Sequence, residues 1–341
     1  MKILFLSYRF YPEIGGIEVN SEILANYFFK FGAEIHMVTT SLISDDDKKV
    51  FDYKVVRNPG RIDLVKEFLW ADVVFENNPS LNLSWPNLIF NKPHVVAIRT
   101  WISRMDGTMA LQDKLKLFWL KKANAVIAVS QKIKESSFNK SIVIGNPFRN
   151  ELFIDYKKER NIDFVFLGRL VSDKGADMAI DLLNKLNTNE KFSNHKFTLT
   201  IIGDGPEKSK LEKQADSHNL NNYITFAGML KGKELVDCLN NHKYLLVPSR
   251  WREPFGNVAL EGIACGCLPI VSDGGGLTDA VGNAGVVFER NSVDSLFYKT
   301  QELLSDPELE NQIRSNFGSH LKNHMPAFVA EKYFNVIKSV V

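Results

Sequence analysis

Two glutamates, Glu253 and Glu261, stand eight residues apart in the run SRWREPFGNVALEGIACGCLPIVSDGGG at positions 249–276. Pro-Phe-Gly follows the first, and an apolar, helix-like run surrounds the second. The order describes a loop that carries one carboxylate, turns at Gly256 and becomes a helix. At roughly 3.6 residues per turn, the second carboxylate falls about one and a half turns inside that helix. A helix start presents unpaired N–H groups that favour anions such as phosphates. A carboxylate just inside it cannot bind phosphate, but it accepts hydrogen bonds from the vicinal hydroxyls of a ribose or a sugar. Anion-binding amides beside hydroxyl-binding carboxylates suit a nucleotide sugar.

Other segments fall into a recognisable order around this run. A strand at Lys2–Ser7 precedes Tyr11-Pro12-Glu13-Ile14-Gly15-Gly16-Ile17-Glu18. Phe164-Val165-Phe166-Leu167-Gly168-Arg169-Leu170 leads to Lys174-Gly175, and Ile201-Ile202-Gly203-Asp204-Gly205-Pro206 and Asn222–Gly228 follow. Each segment alone recurs in many α/β proteins. Together, with E-x7-E, they resemble the retaining glycosyltransferases of the GT-B fold, glycosyltransferase family 4 in particular. The resemblance covers nearly the whole chain. It implies an α/β architecture of two Rossmann-like domains facing an interdomain cleft, with a C-terminal helix crossing back to the N-terminal domain.

The elements that would position these residues are legible from hydrophobic patterning. Strands and helices alternate throughout, which calls for parallel sheets covered on both faces. Strands are expected near 2–7, 34–39, 53–56, 72–75, 94–99, 125–129 and 141–144, then near 163–167, 197–202, 223–226, 244–247, 268–272 and 286–288. Helices are expected at Gly16–Phe31 and Leu111–Lys122, and near 174–187, 206–217, 231–240, 256–265 and 293–305. Asn146-Pro147 ends the first alternation. The expected domains are an N-terminal acceptor domain (1–150), a nucleotide-sugar domain (151–322) and a C-terminal helix (323–341) packing on the first. Ligand is expected at the carboxyl ends of the strands.

Arg169 and Lys174 follow a buried strand at its carboxyl end. Two cations there can stabilise a departing diphosphate without a metal, Arg as a planar fork and Lys as a point charge. Glu261 is expected to hold the ribose hydroxyls. Glu253 is expected to face the donor sugar, unless a salt bridge with Arg250 or Arg252 claims it. Backbone N–H groups from Phe255, Gly256, Asn257 and Val258 would complete a sugar-phosphate cradle. Gly15 and Gly16 would let the backbone approach the diphosphate from the other domain, because glycine has no side chain to obstruct it. Glu18, Asn20 and Ser21 are read as helix caps or acceptor contacts. The catalytic set is therefore Glu253, Arg169 and Lys174, with Glu18, Arg99 and Thr100 as acceptor-side candidates.

One departure from the family stands at Ala97-Ile98-Arg99-Thr100-Trp101. Many members place a histidine at the end of this strand, near the anomeric centre, and here Arg99 or Thr100 occupies that neighbourhood. His94 lies at the strand's other end and reads as structural. Asp45-Asp46-Asp47 contains a D-x-D metal motif, but it sits in a polar run and reads as a solvated loop. Gly274-Gly275-Gly276 is followed by Thr278-Asp279, where the family usually has Pro-Glu, and the aspartate reads as a cap for Ala280–Val281. The segment Leu111–Lys122 is basic and amphipathic, fitting either a membrane surface or a helix packed on its own sheet.

Composition bounds the remainder. A chain of 341 residues, 45% apolar, is long enough for two domains. Its 42 Lys and Arg against 40 Asp and Glu give no polyelectrolyte character and no case for nucleic acid. The first 150 residues carry +5 and the remainder −3, so a basic N-terminal half would suit an anionic membrane or a diphosphate lipid. Cys238, Cys265 and Cys267 make no disulfide framework, and the Cys265-Gly-Cys267 pair reads as small apolar residues at a buried helix end. The N-terminus does not read as a signal peptide and no stretch reaches the length of a span, so a cytoplasmic protein, at most at the inner face of the membrane, is expected. The expected activity is retaining, metal-independent transfer of a sugar from a nucleoside-diphosphate donor, UDP before GDP. The acceptor would be a saccharide, such as a lipid-linked oligosaccharide of a surface polysaccharide. No cofactor is expected. The resemblance implies a front-face mechanism in which the leaving phosphate helps to deprotonate the acceptor. A sugar-nucleotide epimerase of the same fold and a catalytically weak binding partner are the other readings.

Overall fold

A computed structural model of the chain describes residues 1–13, 15–43, 49–103 and 108–341. The chain divides into two compact units. Unit 1 comprises Met1–Pro147 and His324–Val341, and unit 2 comprises Phe148–Asn323.

Unit 1 is a seven-stranded parallel sheet in the order β3-β2-β1-β4-β5-β6-β7. Its strands are β1 (Lys2–Leu6), β2 (Glu34–Thr39), β3 (Lys54–Arg57), β4 (Val73–Asn77), β5 (His94–Ile98), β6 (Ala125–Ala128) and β7 (Ile142–Val143). Between them run α1 (Gly16–Lys30), α2 (Arg61–Trp70), α3 (Leu81–Ser84), α4 (Asn87–Phe90), α5 (Leu111–Lys122) and α6 (Gln131–Ser137). β1 shows why these apolar runs must be central parallel strands. Ile3 and Phe5 enter the core on one face, and Leu4 and Leu6 enter a smaller core on the other. Both faces are covered, so no polar alternation survives in the sequence.

Unit 2 is a six-stranded parallel sheet in the order β10-β9-β8-β11-β12-β13. Its strands are β8 (Ile162–Leu167), β9 (Leu199–Ile202), β10 (Ile224–Gly228), β11 (His242–Val247), β12 (Leu268–Ser272) and β13 (Val286–Phe288). Its helices are α7 (Ala176–Thr188), α8 (Lys208–Ser217), α9 (Gly232–Asn240), α10 (Asn257–Ala264), α11 (Leu277–Val281), α12 (Val293–Ser305), α13 (Pro307–Ser315) and α14 (Phe317–Asn323). Phe164, Phe166, Leu246 and Ile270 anchor its core. The chain then returns to unit 1 as α15 (Pro326–Lys338), which buries Val329, Ala330, Tyr333 and Ile337.

Two readings of capping residues are not met. α1 begins at Gly16 with Gly15 at its N-cap, so Glu18, Asn20 and Ser21 lie inside the helix and cap nothing. Ser21 is instead tied into a buried cluster, its hydroxyl 2.8 Å from Ser7 Oγ and accepting from Asn77 Nδ2 at 2.7 Å. α11 begins at Leu277 after Gly276, which places Asp279 in its first turn rather than at the cap. Asp45, Asp46 and Asp47 lie outside the described residues. Cys265 and Cys267 are fully buried, as small apolar residues at the end of α10.

Candidate active site

In unit 2, strand β8 delivers Arg169 and a short turn delivers Lys174, both beyond the strand's carboxyl end. Arg169 is exposed, and its guanidinium makes no hydrogen bond or ion pair among the described residues. Lys174 is engaged. Its Nζ donates a short hydrogen bond to Glu253 Oε1 and lies 5.1 Å from the centroid of the Trp251 ring. Ser249 Oγ also donates to Glu253 Oε1, at 3.2 Å. The structure thus brings Lys174 and Glu253 together, while Arg250, one of the two arginines weighed as a partner for Glu253, turns elsewhere.

Arg250 has another task. It clasps the Asp177 carboxylate with two bonds of 2.6 Å each, at the first turn of α7. Burial alone would raise the Asp177 carboxyl, but the Arg250 hydrogen bonds hold it below its ordinary value. The Asp173 carbonyl accepts from Arg250 N at 2.8 Å and Trp251 N at 3.0 Å. These bonds fix the loop carrying Glu253 against the turn carrying Lys174. From behind, Gly276 N donates to Glu253 O at 2.7 Å. Gly275 has φ +74°, and a Cβ there would meet Glu253 O at 2.2 Å, so only glycine lets that backbone approach. Asp173, Asp177 and the Gly275 contact carried no local signal in the sequence, because each partner lies more than 20 residues away along the chain. Trp251 was visible only as an aromatic beside the motif.

The loop ends at Gly256, the N-cap of α10, with φ +112°. A Cβ there would meet Leu277 Cδ2 at 2.4 Å. Gly256 therefore sets the turn into α10, whose first N–H groups include those of Asn257 and Val258. Phe255 is buried beneath the turn. Glu261 lies in the second turn of α10, partly buried, and its carboxyl meets no donor among the described residues. Burial pushes that carboxyl up to about 7, with the Arg149 charge opposing the shift. A polar group held in this way is costly unless a ligand satisfies it.

Unit 1 holds the remaining candidates. Gly15 closes against Glu18: a Cβ there would lie 2.3 Å from Glu18 Oε2. Gly16 opens α1. Arg99 follows β5 and is buried. Its Nε donates to Asn77 Oδ1 at 2.7 Å, its Nη1 donates to Asn146 Oδ1 at 2.8 Å, and its guanidinium lies 4.9 Å over the Tyr333 ring. Burial lowers the Arg99 pKa, since no carboxylate among the described residues compensates the charge. This arginine braces α15 against the strand ends. Thr100 beside it is half-buried and makes no hydrogen bond among the described residues. His94, at the amino end of β5, is buried against Glu76 at 3.1 Å.

The family model of glycosyl transferases group 1 matches residues 148–318. The chain belongs to the group 1 glycosyl transferases. An uncharacterized member from Methanocaldococcus jannaschii is 28% identical over 374 aligned residues, covering all of this chain and 97% of its own. A glycogen synthase of Mycobacterium tuberculosis is 35% identical over 147 residues, or 42% of this chain and 34% of that enzyme. The crystal structure of Anabaena HepE in complex with UDP matches with a TM-score of 0.83 at 18% identity, covering 99% of this chain and 100% of that one. The fold of this glycosyl transferase is accordingly GT-B, two Rossmann-like domains in one chain.

Proposed function

We propose that this glycosyl transferase is retaining and metal-independent, and that it takes a sugar from a UDP-linked donor. The observation that carries the reading is Glu261, a partly buried carboxyl without a donor in the second turn of α10. A ribose offers two adjacent hydroxyls that such a carboxylate accepts. The N–H groups opening α10 and the cations Arg169 and Lys174 are suited to the departing diphosphate. Lys174 is already neutralised by Glu253 in the free protein. A donor phosphate would take over the lysine and release Glu253 to accept from the sugar hydroxyls. HepE has been solved with UDP-glucose, which supports uridine over guanosine here. Retention rests on the E-x7-E resemblance.

The acceptor is proposed to be a saccharide, lipid-linked, reached at the inner face of a membrane. No helix among the described residues is long and apolar enough to cross one. Support comes from α5, where Leu111, Leu115 and Phe118 are exposed at helical spacing beside Lys114, Lys121 and Lys122. Such a face suits an anionic lipid surface.

The test is donor turnover in excess chelator. Activity is expected to persist there, while Arg169→Ala and Lys174→Ala each lose about 10²–10³-fold. Loss of activity in chelator that manganese or magnesium restores overturns the metal-free reading.

A further inference from the structure

In unit 1, β1 leads to β2 and β3 on one side while β4 lies on its other side. The crevice outside the carboxyl ends of β1 and β4 is therefore the topological switch point, where open parallel sheets take their ligands. A cavity of about 590 Å³ opens there, within the range of roughly 300–1,000 Å³ for small-ligand sites. Tyr8 after β1, Thr40 after β2, Asn58 after β3, and Asn82 and Trp85 after β4 line it, together with Arg61.

Two aromatic side chains meet this space. Tyr8 is 47% exposed, and Trp85 is half-buried against the smaller core. Neither side chain hydrogen-bonds to any described residue. Aromatic faces offer an apolar platform to the C–H face of a sugar ring, and the amides of Asn58 and Asn82 donate and accept as sugar hydroxyls require. Arg61 adds a charge. It makes no ion pair among the described residues, and the nearby Asp63 is engaged by Lys66 at 2.9 Å. Arg61 also opens α2, where the helix dipole disfavours a cation. Its planar fork can grip a carboxylate or a phosphate.

We propose that this cavity is a subsite for an anionic acceptor glycan, gripped by Arg61 through a carboxylate or phosphate while its ring rests on Tyr8 and Trp85. The proposal rests on the glycosyl-transfer reading for its use, but not for its binding chemistry.

The full chain would be titrated with methyl glucuronide, glucose 6-phosphate, neutral methyl glucoside and inorganic phosphate, followed by saturation-transfer NMR. Both charged sugars are expected to bind about tenfold more tightly than the neutral one, and the tighter of the two identifies the anionic group. Arg61→Gln should abolish that preference, and Tyr8→Ala should weaken all three sugars. Both side chains are exposed, so the fold is expected to survive. Equal binding of charged and neutral sugars, a preference that survives Arg61→Gln, phosphate binding as tightly as the phosphorylated sugar, or no binding by any probe overturns the subsite. A parallel titration with UDP-glucose separates the two readings. A chain that binds the charged sugars but no nucleotide sugar keeps this subsite and loses the transferase assignment. A chain that binds UDP-glucose and no charged sugar does the reverse.

Discussion

With the ribose held as proposed, Glu261 would tie donor affinity to pH. Its carboxyl sits near 7 in the folded chain, above the ordinary value of 4.5. The form that accepts two ribose hydroxyls is the carboxylate, so below pH 7 the proton must leave before the donor binds. Affinity for a nucleotide sugar is expected to rise as pH increases towards 7 and then level off, with about a tenfold penalty at pH 6. A nucleotide sugar is the right probe, because its diphosphate has no terminal phosphate that titrates in this window. Glu261→Gln should flatten the profile and weaken binding by about 1–3 kcal/mol. A flat profile in the unaltered protein, measured by calorimetry, would sink the assignment. Stability moves in the opposite sense. The folded state binds the proton more tightly than the unfolded one, so this group's contribution is present below 4.5 and lost as pH rises through 7. That loss is on the order of 3 kcal/mol. Glu261→Gln should therefore melt higher than the unaltered chain at pH 8 while binding donor less well.

At the scale of elements, the Arg250–Asp177 clasp joins the loop of Glu253 to the start of α7. Each side chain is about a third exposed or less, and the fork geometry is good, so the pair should contribute about 1 kcal/mol of stability. Its larger effect is positional. Releasing the loop would shift Glu253 relative to Lys174, and misplacements near 1 Å cost about 10²-fold in rate. Arg250→Ala and Asp177→Ala are each expected to lower turnover at least tenfold, with the double variant no worse than either single one. Additive losses in a double-mutant cycle would show that the two residues act separately. The clasp also marks the limit of what could be read from the sequence. Buried parallel strands leave continuous apolar runs, so β1, β2 and β12 were legible nearly to the residue. β11 was not: it starts two residues before the expected 244, because His242 is a buried polar residue bonded to Thr200 at 2.8 Å. The motif residues Glu253, Gly256 and Glu261 were legible through local order and chemistry. The partners of this loop were not, since Lys174 meets Glu253 and Asp177 meets Arg250 across more than 70 residues of chain. The packing of Arg99 was likewise not legible, since its guanidinium lies against Tyr333, 234 residues further along the chain.

At the scale of the whole molecule, unit 1 is completed by the chain's return. Tyr333 meets Phe75 at 6.0 Å, Phe334 meets Phe28 at 5.7 Å, and the Tyr333 hydroxyl donates to Ile144 O at 3.3 Å. Each large apolar side chain buried by α15 contributes about 1.5–3 kcal/mol, against a typical net stability of roughly 5–15 kcal/mol. Deleting residues 324–341 is expected to strip hydrogen-exchange protection from β1–β7 while β8–β13 keep theirs. Equal loss in both sheets would show that the units are not separable in stability. The same return path has a consequence during synthesis. A ribosome releases the strands of unit 1 first, then the 176 residues of unit 2, and only afterwards α15. At roughly 5–20 residues per second, the nascent sheet waits about 10–35 s for the helix that closes its core. Through that interval Phe28 and Phe75 lack their covering partners, while unit 2 can already fold. The helix translated after unit 2 thus sets when the sheet translated before it stops needing a chaperone.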